Sequence, residues 1–134
     1  MSEIIDFTRR NASKVTPDVL KRIHKKLPLL KMEFSQLNAP NYPHLVDQLE
    51  FLANVVEDFA EGAAEDLPYV AVAWATYALI YTHRQIDLIP DSIPDIGHAD
   101  DSAVVRATLI EHENVWSRFA DSRNWDWDKI TSKA

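Results

Sequence analysis

Residues 86–101 read I-D-L-I-P-D-S-I-P-D-I-G-H-A-D-D. Two Ile-Pro steps stand four residues apart in this stretch, among five aspartates and one glycine. The prolines remove backbone donors and interrupt a helix, whereas the leucine and the isoleucines favour burial. The stretch is therefore neither a continuous helix nor a solvated linker, and we predict an ordered connector between two helices.

Apolar residues at helical spacing lie on both sides of this connector. Residues 69–83 are apolar almost all round, which is typical of a central helix covered by its neighbours. The helix after the connector is predicted to start at Asp100 or Asp101 and to reach about Ala120. Its inward stripe consists of Val105, Leu109, His112, Trp116 and Phe119.

Two more helices are predicted before the connector. Thr16-Pro17-Asp18 has the features of a helix start, namely a capping hydroxyl, a proline at the first helical position and an acid near the positive end of the dipole. Pro28 should kink or split this helix. The next helix is predicted from Pro43 to Gly62, with a stripe of leucine, valine and phenylalanine as its buried face.

The composition agrees with a helical fold. The chain is 46% hydrophobic and 26% charged, as in folded domains, and its two glycines disfavour a β-rich fold or a glycine-lined phosphate loop. We predict one all-α domain over residues 1–134, a compact bundle of four to five helices around an apolar central helix. Residues 121–134 form a short tail in this interpretation.

Several classes of protein are disfavoured by residue content. The chain has no cysteine, which excludes disulfides, thiolate metal sites and cysteine nucleophiles. Its longest near-apolar run, residues 69–81, is shorter than the roughly 20 residues of a membrane span. The first residues lack the basic-then-apolar pattern of a secretory signal. A cytoplasmic protein without a transmembrane segment is the expectation.

Charge is distributed unevenly along the chain. The net charge is −7, yet residues 9–31 carry eight cations against one aspartate, so the remainder is strongly acidic. This balance disfavours nucleic acid as a partner. The basic helix could face the acidic remainder of its own fold, bind an acidic partner, or lie on an anionic membrane surface.

The connector and its flanks are rich in groups that can bind a cation. Seven donors fall within 19 residues: Asp87, Asp91, Asp95, Asp100 and Asp101, with His83 and His98. Mg²⁺ or Ca²⁺ needs several carboxylates held together, which an irregular backbone can arrange. The alternative is structural, because aspartates also cap helices and turns. The candidate metal ligands are Asp87, Asp91, Asp100 and Asp101.

Two other acidic patterns favour structural interpretations. Glu57, Glu61 and Glu65 stand four residues apart, as on the carboxylate face of an α-helical pyrophosphohydrolase, but Gly62 is expected to end the helix before Glu65. His112-Glu113 begins like a zinc-protease H-E-x-x-H motif, but position 116 is tryptophan. We therefore predict a solvated acidic face and a hydrogen-bonded core or boundary histidine.

The connector resembles a known family signature. Residues 87–101 follow the pattern D-L-I-P-D-x-I-P-x-x-G-x-x-D-D, which is similar to that of the YkvA-like family, the domain of unknown function numbered 1232. The resemblance covers about residues 68–110 and implies an apolar helix before the signature and another helix after it. The family has no established activity, so the resemblance implies a fold segment and no chemistry.

The residues themselves suggest how the connector works. Pro90 and Pro94 would stop the central helix and turn the chain, and Gly97 would supply a conformation with positive φ. The leading functional hypothesis is a non-catalytic cytoplasmic interaction or regulatory module that binds a protein partner or itself. The alternative is a divalent-metal-dependent hydrolase acting on a phosphorylated small molecule, with His83 or His98 as acid or base. A third is peripheral membrane association through the basic helix.

Overall fold

The computed structural model describes residues 2–37, 44–88, 94–127 and 130, with the backbone alone for residues 2, 85–88 and 94–101. Within these ranges the chain forms six α-helices and no strand. The helices are α1 Ser2–Ala12, α2 Pro17–Ser35, α3 Leu45–Ala60, α4 Tyr69–Leu88, α5 Pro94–Glu111 and α6 Glu113–Ser122. The predicted all-α bundle is confirmed, although the described ranges hold more helices than the four or five expected.

Helix α4 is the central element of the bundle. It packs against α1, α2, α3 and α5, and its alanines and Val72, Trp74 and Leu79 are buried. Small alanine side chains let neighbouring helices approach closely, while the larger residues fill the remaining space. The predicted central helix is therefore confirmed, and it extends beyond its expected end at His83 to Leu88.

Helix α2 begins as predicted but passes through its proline. The Thr16 hydroxyl accepts a hydrogen bond from the Val19 N–H at 3.3 Å, and Pro17 occupies the first helical position. The helix continues through Pro28 instead of splitting there. A proline inside a helix costs about 3 kcal/mol, and burial of Leu27 and Leu30 on either side offsets this cost at about 1.5–3 kcal/mol each.

Helix α3 ends close to the predicted position. Its last residue is Ala60, and Gly62 follows with a φ of +84°. The Asp58 carbonyl accepts hydrogen bonds from the N–H groups of Ala63 at 2.8 Å and Ala64 at 3.1 Å. A glycine with positive φ just past a helix lets the chain fold back onto the last carbonyls. Glu65 consequently lies beyond the helix, as the sequence predicts.

The predicted single helix after the connector is two helices. Helix α5 ends at Glu111, and α6 starts after His112, whose φ of −121° and ψ of 34° are not helical. Inside this corner the Trp116 indole N–H donates to the Thr108 carbonyl at 2.9 Å. This hydrogen bond links α6 to the end of α5. It forms because the chain turns at His112, so helical periodicity alone does not predict it.

An aromatic cluster closes one end of the bundle. Phe51 is fully buried and makes ring contacts with Trp116, Phe119, Trp125 and Trp127 at centroid distances of 5.5–6.3 Å. The tail is docked over this region, because the buried Gln48 amide donates to the carbonyl of Ile130 at 2.9 Å and Ile130 is itself buried. The two tail tryptophans are partly buried and pack against the core.

Candidate functional site

The predicted metal ligands fall at the edges of the structural description. Asp91 and Pro90 lie outside the described residues. The backbone of Asp87 belongs to the last turn of α4, and Asp100 and Asp101 belong to α5. Whether these carboxylates converge on a cation therefore stays a prediction. Among the side chains that the structure does describe, no three histidine, aspartate or glutamate residues are grouped to hold a metal ion.

Helix α5 starts earlier than the sequence analysis predicts. Pro94 is its first residue, so Asp100 and Asp101 lie inside the helix and do not begin it. Gly97 also lies inside α5 and not in a turn before the helix. The physical reason is that proline at the first helical position needs no N–H and has a suitable φ, so Pro94 starts the helix rather than extending the turn.

Two acidic residues near the end of α3, Glu57 and Asp58, are paired with cations rather than freely solvated. Glu57 accepts from the Lys31 ammonium at 3.1 Å, and Asp58 accepts from Arg123 at 2.8 Å. Each carboxylate has its own partner on a different segment. The predicted solvated face is thus wrong for these two residues, which join α3 to α2 and to the end of α6.

Polar side-chain contacts also fix the orientation of α2 on the bundle. Besides Lys31, His24 lies 2.9 Å from Glu61, and Glu33 lies 2.7 Å from the Nδ1 atom of His83 on α4. These contacts lie along the edges of the helix, and its leucine stripe is buried between them. With both edges anchored, the opposite side of α2 must face solvent.

The outward face of α2 combines cations with exposed apolar side chains. Its members are Lys21, Arg22, Lys25, Lys26, Leu29 and Met32, all of them exposed. Leu29 is 51% and Met32 60% exposed. Among the described residues, none of the four cations has a carboxylate within ion-pair distance. We call this set the outward face.

The structure places six of the eight cations of residues 9–31 in two groups. Arg9 pairs with Asp6 and Glu111, and Lys31 pairs with Glu57, so these two serve the protein's own fold. The cations of the outward face do not. The sequence contains a signal for the apolar part of this face, because Leu29 and Met32 fall outside the stripe of Leu20, Ile23, Leu27 and Leu30.

His112 lies in an environment that is unusual for a histidine. It packs between Trp74 and Trp116, at ring-centroid distances of 4.9 and 6.0 Å. Its Nε2 atom is buried and has no hydrogen-bond partner among the described groups, so the predicted hydrogen-bonded histidine is wrong for this nitrogen. Burial lowers the pKa of His112, with a smaller raising effect from Glu111 and a smaller lowering effect from Arg9.

The lowered pKa has a consequence for stability. Below the ordinary histidine value of about 6.5, the unfolded chain takes up a proton that the folded chain resists, so stability should fall as the pH drops through that value. The variant His112→Gln lacks this group. We expect its free energy of unfolding, measured by urea denaturation, to fall less between pH 7.5 and 5.5 than that of the wild type. Equal slopes for both proteins would contradict the assignment.

Comparison with known proteins agrees with the geometry. The described helices pack as an all-α bundle, in which the central helix α4 also packs against α5, the next helix along the chain. Residues 71–106 of this bundle match the model of a family described as protein of unknown function, DUF1232. The predicted resemblance is thereby confirmed over this segment. No curated protein and no solved structure gives a significant match to the chain.

The matched segment and the outward face are different parts of the molecule. The match contains α4 from Ala71 onward and much of α5, whereas the outward face lies on α2. Among the helices that the structure describes, none is long and apolar enough to cross a bilayer. The matched family model, described only as a protein of unknown function, assigns no chemistry to the outward face.

Proposed function

We propose that this protein is a non-catalytic interaction module of the cytoplasm, which docks through the outward face of α2 onto an acidic surface. One observation carries the proposal: Lys21, Arg22, Lys25 and Lys26 are exposed and have no carboxylate partner among the described residues. In a chain with a net charge of −7, this concentration of free cations is a local exception.

The acidic remainder of the protein does not cancel this local charge. At physiological ionic strength, exposed charges more than about 8 Å apart are largely screened from each other. An acidic surface docked on α2 therefore interacts mainly with the cations of the outward face. An exposed ion pair contributes about 0.2–1 kcal/mol, so four of them would supply roughly 1–4 kcal/mol. Such docking is weak, reversible and sensitive to salt.

Charge reversal on the outward face tests the proposal. We expect the wild-type protein to be retained on a cation-exchange matrix at pH 7 and about 0.1 M ionic strength, where the acidic remainder is largely screened, despite its net negative charge. The double variant Lys21→Glu/Lys25→Glu should flow through, because like charges then replace the contacts. Both positions are exposed, so circular dichroism should show an unchanged fold.

A matched control distinguishes the effect of the outward face from the effect of the total charge. Arg106 and Arg118 are exposed cations on α5 and α6, and reversing both to glutamate changes the net charge equally. This control variant should elute at nearly the same salt concentration as the wild type. Failure of the wild type to bind, or equal loss of binding in the two double variants, would refute docking through α2.

A further inference from the structure

The geometry points to the identity of the acidic surface. We infer that it is an anionic lipid bilayer, on which α2 lies parallel to the membrane plane with Leu29 and Met32 inserted among the lipids. This inference rests on the proposed function, since it names the partner of the same face. Unlike docking by charge alone, it also requires that the apolar side chains of the outward face contact the partner.

The apolar side chains of the outward face support lipid as the partner. Leu29 follows Lys25 by four residues, and Met32 follows Leu29 by three, so the three side chains lie on one side of the helix. Leu29 and Met32 are each at least half exposed. A purely acidic protein surface would leave both against polar groups, whereas the boundary between headgroups and acyl chains accommodates apolar and cationic side chains together.

The kind of cation also favours lipid. Three of the four are lysines, which carry a compact charge on a flexible stem, whereas arginine is the residue suited to fixed, bidentate pairing with carboxylates. Headgroups in a fluid leaflet have no fixed positions and require no such geometry. Long lysine stems can also lie along the acyl boundary while their ammonium groups reach the headgroups.

Cationic and apolar residues occupy different halves of the outward face. The cations occupy the N-terminal half of the face, and the apolar residues occupy its C-terminal half. The fully buried leucine stripe on the opposite side holds the helix on the bundle, so membrane contact requires no unfolding. A leaflet with a negative surface potential is the one that faces the cytoplasm, which agrees with the proposed location.

Co-sedimentation with vesicles tests the lipid inference. The wild type should bind vesicles of phosphatidylcholine with phosphatidylserine, should not bind vesicles of phosphatidylcholine alone, and should dissociate as salt is raised. Each cation near an anionic leaflet contributes about a fivefold factor in affinity. Lys21→Glu/Lys25→Glu should therefore bind at least about tenfold more weakly, and the Arg106→Glu/Arg118→Glu control should bind almost as the wild type does.

A second pair of variants tests insertion. Leu29→Gln/Met32→Gln should weaken vesicle binding severalfold while retention on the cation exchanger stays unchanged, because only lipid can accommodate the apolar side chains. Val70 and Ile110 are exposed to a similar extent on α4 and α5, at 57% and 49%. Replacing both with glutamine is the matched control and should leave vesicle binding intact.

The outcomes distinguish the inference from the proposal on which it rests. Retention on the cation exchanger without binding to phosphatidylserine vesicles would overturn the lipid inference and leave docking to an acidic protein in place. Absence of both kinds of binding would overturn both. Vesicle binding that is equally strong in Leu29→Gln/Met32→Gln, or equally weakened in the Val70 and Ile110 control, would overturn insertion of the apolar side chains.

Discussion

Replacing Phe51 with alanine is expected to lower the free energy of unfolding by about 3–5 kcal/mol. The ring is fully buried and touches four other aromatic rings from α6 and from the tail. Truncation would remove its transfer free energy and its edge-to-face contacts, and it would leave a cavity that rigid tryptophans cannot readily fill. Domains of this kind are stable by only about 5–15 kcal/mol, so the loss is a large fraction of the total.

Urea denaturation measures this loss. Phe59→Ala is the matched control on the same helix, because Phe59 is only partly buried and, among the described residues, makes one ring contact, with Tyr69 at 6.2 Å. The control should lose distinctly less stability. A loss below about 1 kcal/mol for Phe51→Ala would show that the aromatic cluster does not hold the tail and α6 on the bundle.

The same substitution on the two faces of α2 should change the free energy of unfolding by very different amounts. Leu30→Ala is expected to cost about 2–5 kcal/mol, because Leu30 has no exposed surface and lies in the core. Leu29→Ala, one residue away, should change stability by no more than about 0.5 kcal/mol, because that side chain is already half exposed. The pair thus tests the orientation on which the proposed docking face depends.

Thermal or chemical unfolding of both variants is sufficient for this comparison. Similar losses for the two would mean that α2 is rotated relative to the orientation in the structure. In that case Leu29 would belong to the core, and the outward face would have to be redefined. A large loss of stability for Leu30→Ala with a negligible change for Leu29→Ala would show that Leu29 contributes little to folding and is available to contact a partner.

Local patterns in the sequence were sufficient for the architecture. The periodicity of apolar residues identified the central helix, and the Thr16-Pro17 pair identified the start of α2, because caps and amphipathic stripes act over a few residues. The connector signature likewise identified the family segment from adjacent residues. Convergence of the connector carboxylates could not be predicted in the same way, because it depends on how the chain turns.

Contacts between distant residues account for what the sequence analysis missed. The hydrogen bond from the Trp116 indole to the Thr108 carbonyl forms where the helix breaks at His112. Neither a tryptophan nor a histidine in a sequence indicates such a break by itself. Likewise, eight cations in residues 9–31 look equivalent in the sequence, but only some of them meet carboxylates of α1, α3 or α5.

Local sequence patterns were enough to identify an all-α bundle with an apolar central helix and a segment that matches a family model. The side of α2 that faces solvent, and the cations on it that stay unpaired among the described residues, could be recognised only in the folded protein. The physical reason is range: helix formation and capping depend on neighbours within about four residues, whereas ion pairing and burial depend on groups brought together by folding. The candidate docking surface is therefore a property of the folded chain.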